Sequence, residues 1–127
     1  MQRDRIASRF RQCALVQMKR RAFHANFEAK RSEGSRREML YRIKNSAINF
    51  LLETGYAYVD SVDWSVPDPT FSVEFVGGGR LHTKLSGLSS AALRSVRRQL
   101  NGNLQPPCPA FRPDGWYGVA EAEGARN

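Results

Sequence analysis

The chain is short of cysteine and lysine, has no long apolar run, and has neither proline nor glycine in its first 33 residues. Its two cysteines, Cys13 and Cys108, lie far apart and match no disulfide framework of a small secreted domain. A reducing cytoplasm is therefore the expected compartment. The same thiols, with His24 and His82, lack the close spacing of zinc ligands, so no metal or other cofactor is expected. Nothing approaches the roughly 20 consecutive apolar residues of a membrane span, and no membrane partner is expected. The longest early apolar run, Cys13-Ala14-Leu15-Val16, is also too short for the core of a signal peptide.

Signatures of catalysis are missing too. Gly77-Gly78-Gly79-Arg80 lacks the Lys and Ser/Thr that end a phosphate loop, and it joins two strands instead of opening a helix. It reads as a turn. Cys108, within Pro106-Pro107-Cys108-Pro109, has no base beside it in sequence to activate its thiol. Asp60, Asp63, Asp68 and Glu74 gather around the expected first hairpin, where carboxylates are normally solvated and discourage edge pairing. With no triad, metal set or cofactor loop, the chain is read as non-enzymatic.

What is present is arginine, unevenly placed. The chain carries 16 Arg and 4 Lys, and its net charge is +8. Residues 1–35 hold +6 of that and residues 89–102 hold +3, while residues 55–88 are net −2. Arginine presents a planar fork of donors suited to phosphate or carboxylate, whereas lysine acts more as a point charge. Charge concentrated on particular segments implies an anionic partner.

The segments holding this charge read as helices. Residues 3–31 lack Pro and Gly and are rich in Arg, Gln, Ala and Met, which predicts a long first helix. Ile6, Phe10, Cys13 and Ala14 give its first half one apolar face. Further on the stripe passes to Leu15, Met18, Ala22 and Ala25, with Phe23 and Phe27 an additional i,i+4 pair. Two offset stripes suggest either contact with more than one surface or a curved helix packed on one core. Ser35-Arg36-Arg37-Glu38 has the form of a capping box opening a second helix. Met39, Leu40, Ile43, Ala47, Phe50 and Leu51 would supply its apolar face, and Gly55 its stop.

Three strands are expected next: Tyr56–Trp64, Phe71–Phe75 and Arg80–Leu85, the last two joined through the glycine turn. Phe71, Val73 and Phe75 alternate with Ser72 and Glu74, and Leu81, Thr83 and Leu85 with Arg80, His82 and Lys84. Ser89 should cap a third helix whose stripe is Leu93, Val96 and Leu100, with Leu88 stapled to Leu93 and Asn101-Gly102 as the stop. The remainder, with Pro106, Pro107, Pro109 and Pro113, reads as an extended tail anchored by Trp116-Tyr117. The expected class is thus α+β. A basic N-terminal helix (1–34) precedes an α-β-β-β-α core (35–102) with a three-stranded antiparallel sheet, and a Pro-rich tail (103–127) follows.

From Arg36 to Asn101 the helix–strand–strand–strand–helix order resembles that of double-stranded-RNA-binding domains. Phe71-Ser72-Val73-Glu74-Phe75 followed by a Gly-rich turn is similar in style. The lysine run that opens the last helix of those domains is replaced here by Ser89-Ser90-Ala91-Ala92, with Arg94, Arg97 and Arg98 further along. The resemblance implies phosphate contacts and covers about half of the chain.

The expected function is non-enzymatic nucleic-acid binding, to DNA or RNA, through backbone contacts from Arg5, Arg9, Arg20, Arg21, Arg36, Arg37, Arg94, Arg97 and Arg98. The alternative is an accessory or inhibitor protein, of the kind mobile elements encode, docking on a larger protein or nucleoprotein. Phe23, Phe27, Trp116 and Tyr117 would be its anchors. Pairing of two copies through the first helix is a further possibility.

Overall fold

The computed structural model describes residues 2–100, with side chains from residue 9 onward. The elements run α1 (Gln2–Lys30), α2 (Gly34–Glu53), β1 (Ala57–Asp63), β2 (Thr70–Phe75), β3 (Arg80–Lys84), a 3-10 turn (Leu85–Gly87) and α3 (Ser90–Leu100). The class is α+β, with a three-stranded antiparallel sheet in the order β1-β2-β3. The expected tail with Trp116, Tyr117 and Cys108, the Asn101-Gly102 stop, and the side chains of Arg5 and Ile6 lie outside the described residues. Two compact units divide the chain after Tyr56.

The first unit is a helical hairpin. Ala22, Ala25 and Ala29 are 0–2% exposed and follow one another at helical spacing, so α1 offers a face of small side chains on which α2 packs closely. Ala47, Ile48, Leu51 and Leu52 are the buried apolar residues of α2. At the end of α1, the Ser32 hydroxyl donates to the Glu28 carbonyl at 2.8 Å. At the end of α2, Gly55 takes φ +77°, as its position predicts. The N–H groups of Gly55 and Tyr56 then reach back to the carbonyls of Leu52 and Leu51 and satisfy the last turn.

One expectation for this unit is corrected. The capping box at Ser35–Glu38 does not form: α2 begins at Gly34, and Glu33 holds the N-cap position with no side-chain hydrogen bond. The extended backbone that an N-cap needs falls on Glu33 (φ −134°, ψ 163°), because the chain reverses within three residues and Gly34 takes φ +61°. Ser35 is thereby already helical. Among the described residues, the apolar face of the first half of α1 is exposed: Phe10 is 73% exposed, and Cys13 and Ala14 are exposed. Length explains the exposure of Phe10. Helix α1 has 29 residues and α2 only 20, so α1 outruns its partner by about nine residues, roughly 13 Å at 1.5 Å per residue.

The second unit is the sheet with α3. Ala57, Val59, Phe71, Val73, Phe75 and Leu81 form its buried apolar face, joined by Ala92, Leu93, Val96 and Leu100 of α3. Helix α3 packs along β1, where the Gln99 side-chain amide donates to the Ala57 carbonyl at 3.2 Å. Ser89 caps α3 as expected, its Oγ accepting the Ala92 N–H at 3.1 Å. Gly77, Gly78 and Gly79 all hold φ between 84° and 100°, a run that only glycine adopts without strain. The Phe75 N–H closes this hairpin on the Gly79 carbonyl. Strand β1 is one residue shorter at each end than expected, and Leu85 leaves β3 for the 3-10 turn. Ser72, expected on the open face, is buried at 5% exposure on the central strand, between its cross-strand neighbours Ser61 and His82.

Candidate nucleic-acid interface

Carboxylates in the sheet unit are occupied with structural work. The Asp63 carboxylate accepts from both the hydroxyl and the backbone N–H of Ser65, and these bonds hold it below the usual carboxylate range. Asp68 accepts from the backbone N–H and hydroxyl of Ser86, which ties the β1–β2 connection to the 3-10 turn. A register shift between Val59 and Ser61 leaves Asp60 out of the β1–β2 pairing. Its Oδ2 reaches Arg80 Nη2 at 2.8 Å, and Arg80 Nε donates to Glu74 Oε1 at 2.7 Å. The one arginine of the sheet is thus neutralised twice.

Helix arginines are placed differently. Arg9, Arg20, Arg21, Arg36, Arg37, Arg94 and Arg98 form no ion pair with any of the described residues. All seven are exposed. Arg9 and Arg20 share one face of α1, lining a shallow depression with Gln12, Cys13, Val16 and Gln17. Arg21, although adjacent to Arg20, turns about 100° away. It borders a cleft of about 330 Å³ between α1 and α2, whose floor is Met18, Met39, Ile43 and Ala47 and whose opposite rim is Arg42. Arg36 is exposed in the first turn of α2. Arg37 lies with its guanidinium 5.6 Å from the centre of the Tyr41 ring. On α3, Arg94 and Arg98 project together at i,i+4 spacing, while Arg97 is half-buried on the flank. The Ser95 hydroxyl accepts a long 3.5 Å bond from Arg98.

Of the expected partner anchors, Phe23 is half-buried and Phe27 is 55% exposed, with the Arg31 guanidinium 5.3 Å from its ring centre. Trp64 packs edge-on against Phe71 at 6.0 Å, which makes it a margin of the sheet core. His82 lies on the exposed side of β3 with Arg80 and Lys84. Among the described residues no group of His, Cys, Asp or Glu is arranged to hold a metal ion, and no helix is long and apolar enough to cross a membrane.

Lys44 was not singled out by charge clustering. It is 7% exposed, and burial followed by the nearby Lys30 charge pushes its ammonium down to about 8 from an ordinary 10.5. Its ammonium also lies 5.3 Å from the Tyr41 ring centre. A signal does exist in the sequence: Leu40, Lys44, Ile48 and Leu51 share one helical face, so a charge interrupts an apolar stripe.

No family model matches the chain, and no curated protein or solved structure does either.

Proposed function

We propose that this chain is a non-catalytic nucleic-acid-binding protein of a reducing cytoplasm, contacting the phosphate backbone of DNA or RNA through arginines on its helices. The observation that carries this reading is the contrast in pairing. Arg80 on the sheet is held by two carboxylates, whereas seven exposed helix arginines have no carboxylate partner among the described residues. Unpaired, exposed guanidinium groups release counterions when phosphates replace them, which supplies affinity without base reading. Modest sequence preference is the consequence.

Fluorescence anisotropy with labelled single-stranded and duplex oligonucleotides tests the proposal. Binding should weaken by several orders of magnitude between about 50 and 200 mM salt, the behaviour of a protein making several phosphate contacts. Salt-independent binding, or none at low salt, overturns it.

A second reading, docking on a protein, draws on the cleft between α1 and α2. Its lining includes the apolar Met18, Met39, Ile43 and Ala47 together with Arg21 and Arg42, and Met39 is 54% exposed. An acidic amphipathic helix has the chemistry to fill such a groove. Its mark is a pull-down that survives nuclease treatment.

A further inference from the structure

Arginines recur every 11 residues along α1. Arg9, Arg20 and Arg31 stand at i, i+11 and i+22, the last in the turn that follows Lys30. Eleven residues make about three helical turns, so each arginine lies only about 20° round from the one before. Two contacts place this stripe in the structure. Arg9 and Arg20 line the same shallow depression, with Val16 between them. Phe27, about five full turns from Arg9, has the Arg31 guanidinium 5.3 Å from its ring centre. All three arginines are exposed, and none has an ion pair among the described residues. Glu28 is the one acidic residue between positions 9 and 31, and it is turned about 100° from Phe27.

Spacing selects the partner. At about 1.5 Å per residue the arginines follow at intervals of roughly 16 Å, and Arg9 and Arg31 are about 33 Å apart. B-form DNA completes a turn in about 34 Å. A rod lying alongside the duplex crosses each of its two strands once per turn, and so meets a phosphate backbone about every 17 Å on average. The two grooves differ in width, and the long arginine side chains take up the difference. Single strands impose no such interval, since their backbone simply tracks a basic groove. The deep, narrow major groove of A-form RNA sets its backbones at other intervals. An acidic protein surface has no built-in period of this kind.

We propose that α1 lies along a DNA duplex, with Arg9, Arg20 and Arg31 on three successive crossings of the phosphate backbone. This duplex contact rests on the nucleic-acid reading and narrows it to double-stranded DNA held along one face of one helix.

Fluorescence anisotropy of the full chain at several salt concentrations is the test. The probes are a DNA duplex of about two turns, its single strand, and an RNA duplex of the same length. The DNA duplex should bind the tightest. Arg9→Gln, Arg20→Gln and Arg31→Gln should each weaken that binding several-fold and lower the slope of log K against log salt by about one contact. Arg11→Gln removes the same charge from a side of α1 about 160° away from Arg9, and it should leave the slope unchanged. If Arg11→Gln behaves like the other three, the stripe is overturned and the broader nucleic-acid reading survives. Tighter binding to the single strand or to the RNA duplex has the same consequence. Absence of binding to all three probes at low salt overturns both. Circular dichroism of the variants separates lost binding from lost helix.

Discussion

At the scale of single residues, Lys44 carries a cost of burial. Its folded-state ammonium titrates near 8 against an ordinary 10.5. Between those values the unfolded chain holds more protons than the folded one, so stability rises with pH through that window. Below about 8 the penalty is present in full. Allowing for solvent near the ammonium, it amounts to about 1–2 kcal/mol. Lys44→Met should therefore be more stable than the wild type at pH 7 by about that much. The gap should close as the pH is raised from 8 to 10.5. Urea denaturation of both proteins at pH 7 and pH 10 checks this, and a difference that stays constant with pH removes burial as its cause. The position stands outside the sequence expectations, although Leu40, Ile48 and Leu51 make an apolar stripe that Lys44 interrupts. The stripe could not give the depth of burial, which depends on how closely the alanine face of α1 is approached.

At the scale of elements, the helix starts illustrate why one cap was legible and another was not. Ser89 and Ser35 both stand where a serine cap belongs, yet only Ser89 receives an N–H, that of Ala92 at 3.1 Å. Capping requires extended backbone at the serine, and the tight α1–α2 connection assigns that conformation to Glu33. Ser89→Ala should consequently lower the stability by about 1 kcal/mol, and Ser35→Ala should change it by no more than a few tenths. Thermal or chemical denaturation of the two variants decides it, and equal losses would restore the capping box. The strands were easier to read. Period-two alternation at Phe71, Val73 and Phe75, and again at Leu81 and Thr83, follows from side chains pointing alternately to opposite faces. Ser72 escaped that rule because a small side chain on a central strand is covered by its neighbours on both sides.

At the scale of the whole molecule, charge is the property to test. Removing two helix charges that have no ion pair among the described residues, as in Arg20→Gln with Arg21→Gln, should weaken nucleic-acid binding and lower the salt slope by up to two contacts. Because the two side chains lie on different faces of α1, one in the Arg9 depression and one on the cleft rim, the single variants separate those faces. A nucleic acid that lies along only one of them should respond to only one variant. If neither variant changes the slope, the hairpin arginines are not the phosphate contacts.

The sequence by itself determined the element order, the strand alternation, the caps at Ser89 and Gly55, and the concentration of arginine on helices. All of these follow from local backbone preferences and short-range periodicity. Tertiary structure alone decided which charges are spent and which are free. Asp60 and Glu74 meet Arg80 only because pairing brings three strands side by side and a register shift frees Asp60 from the ladder. Lys44 becomes a buried cation with no ion pair among the described residues only because two helices fold back on each other through a three-residue connection. Contacts between residues distant in sequence depend on how elements pack, and no local pattern encodes that.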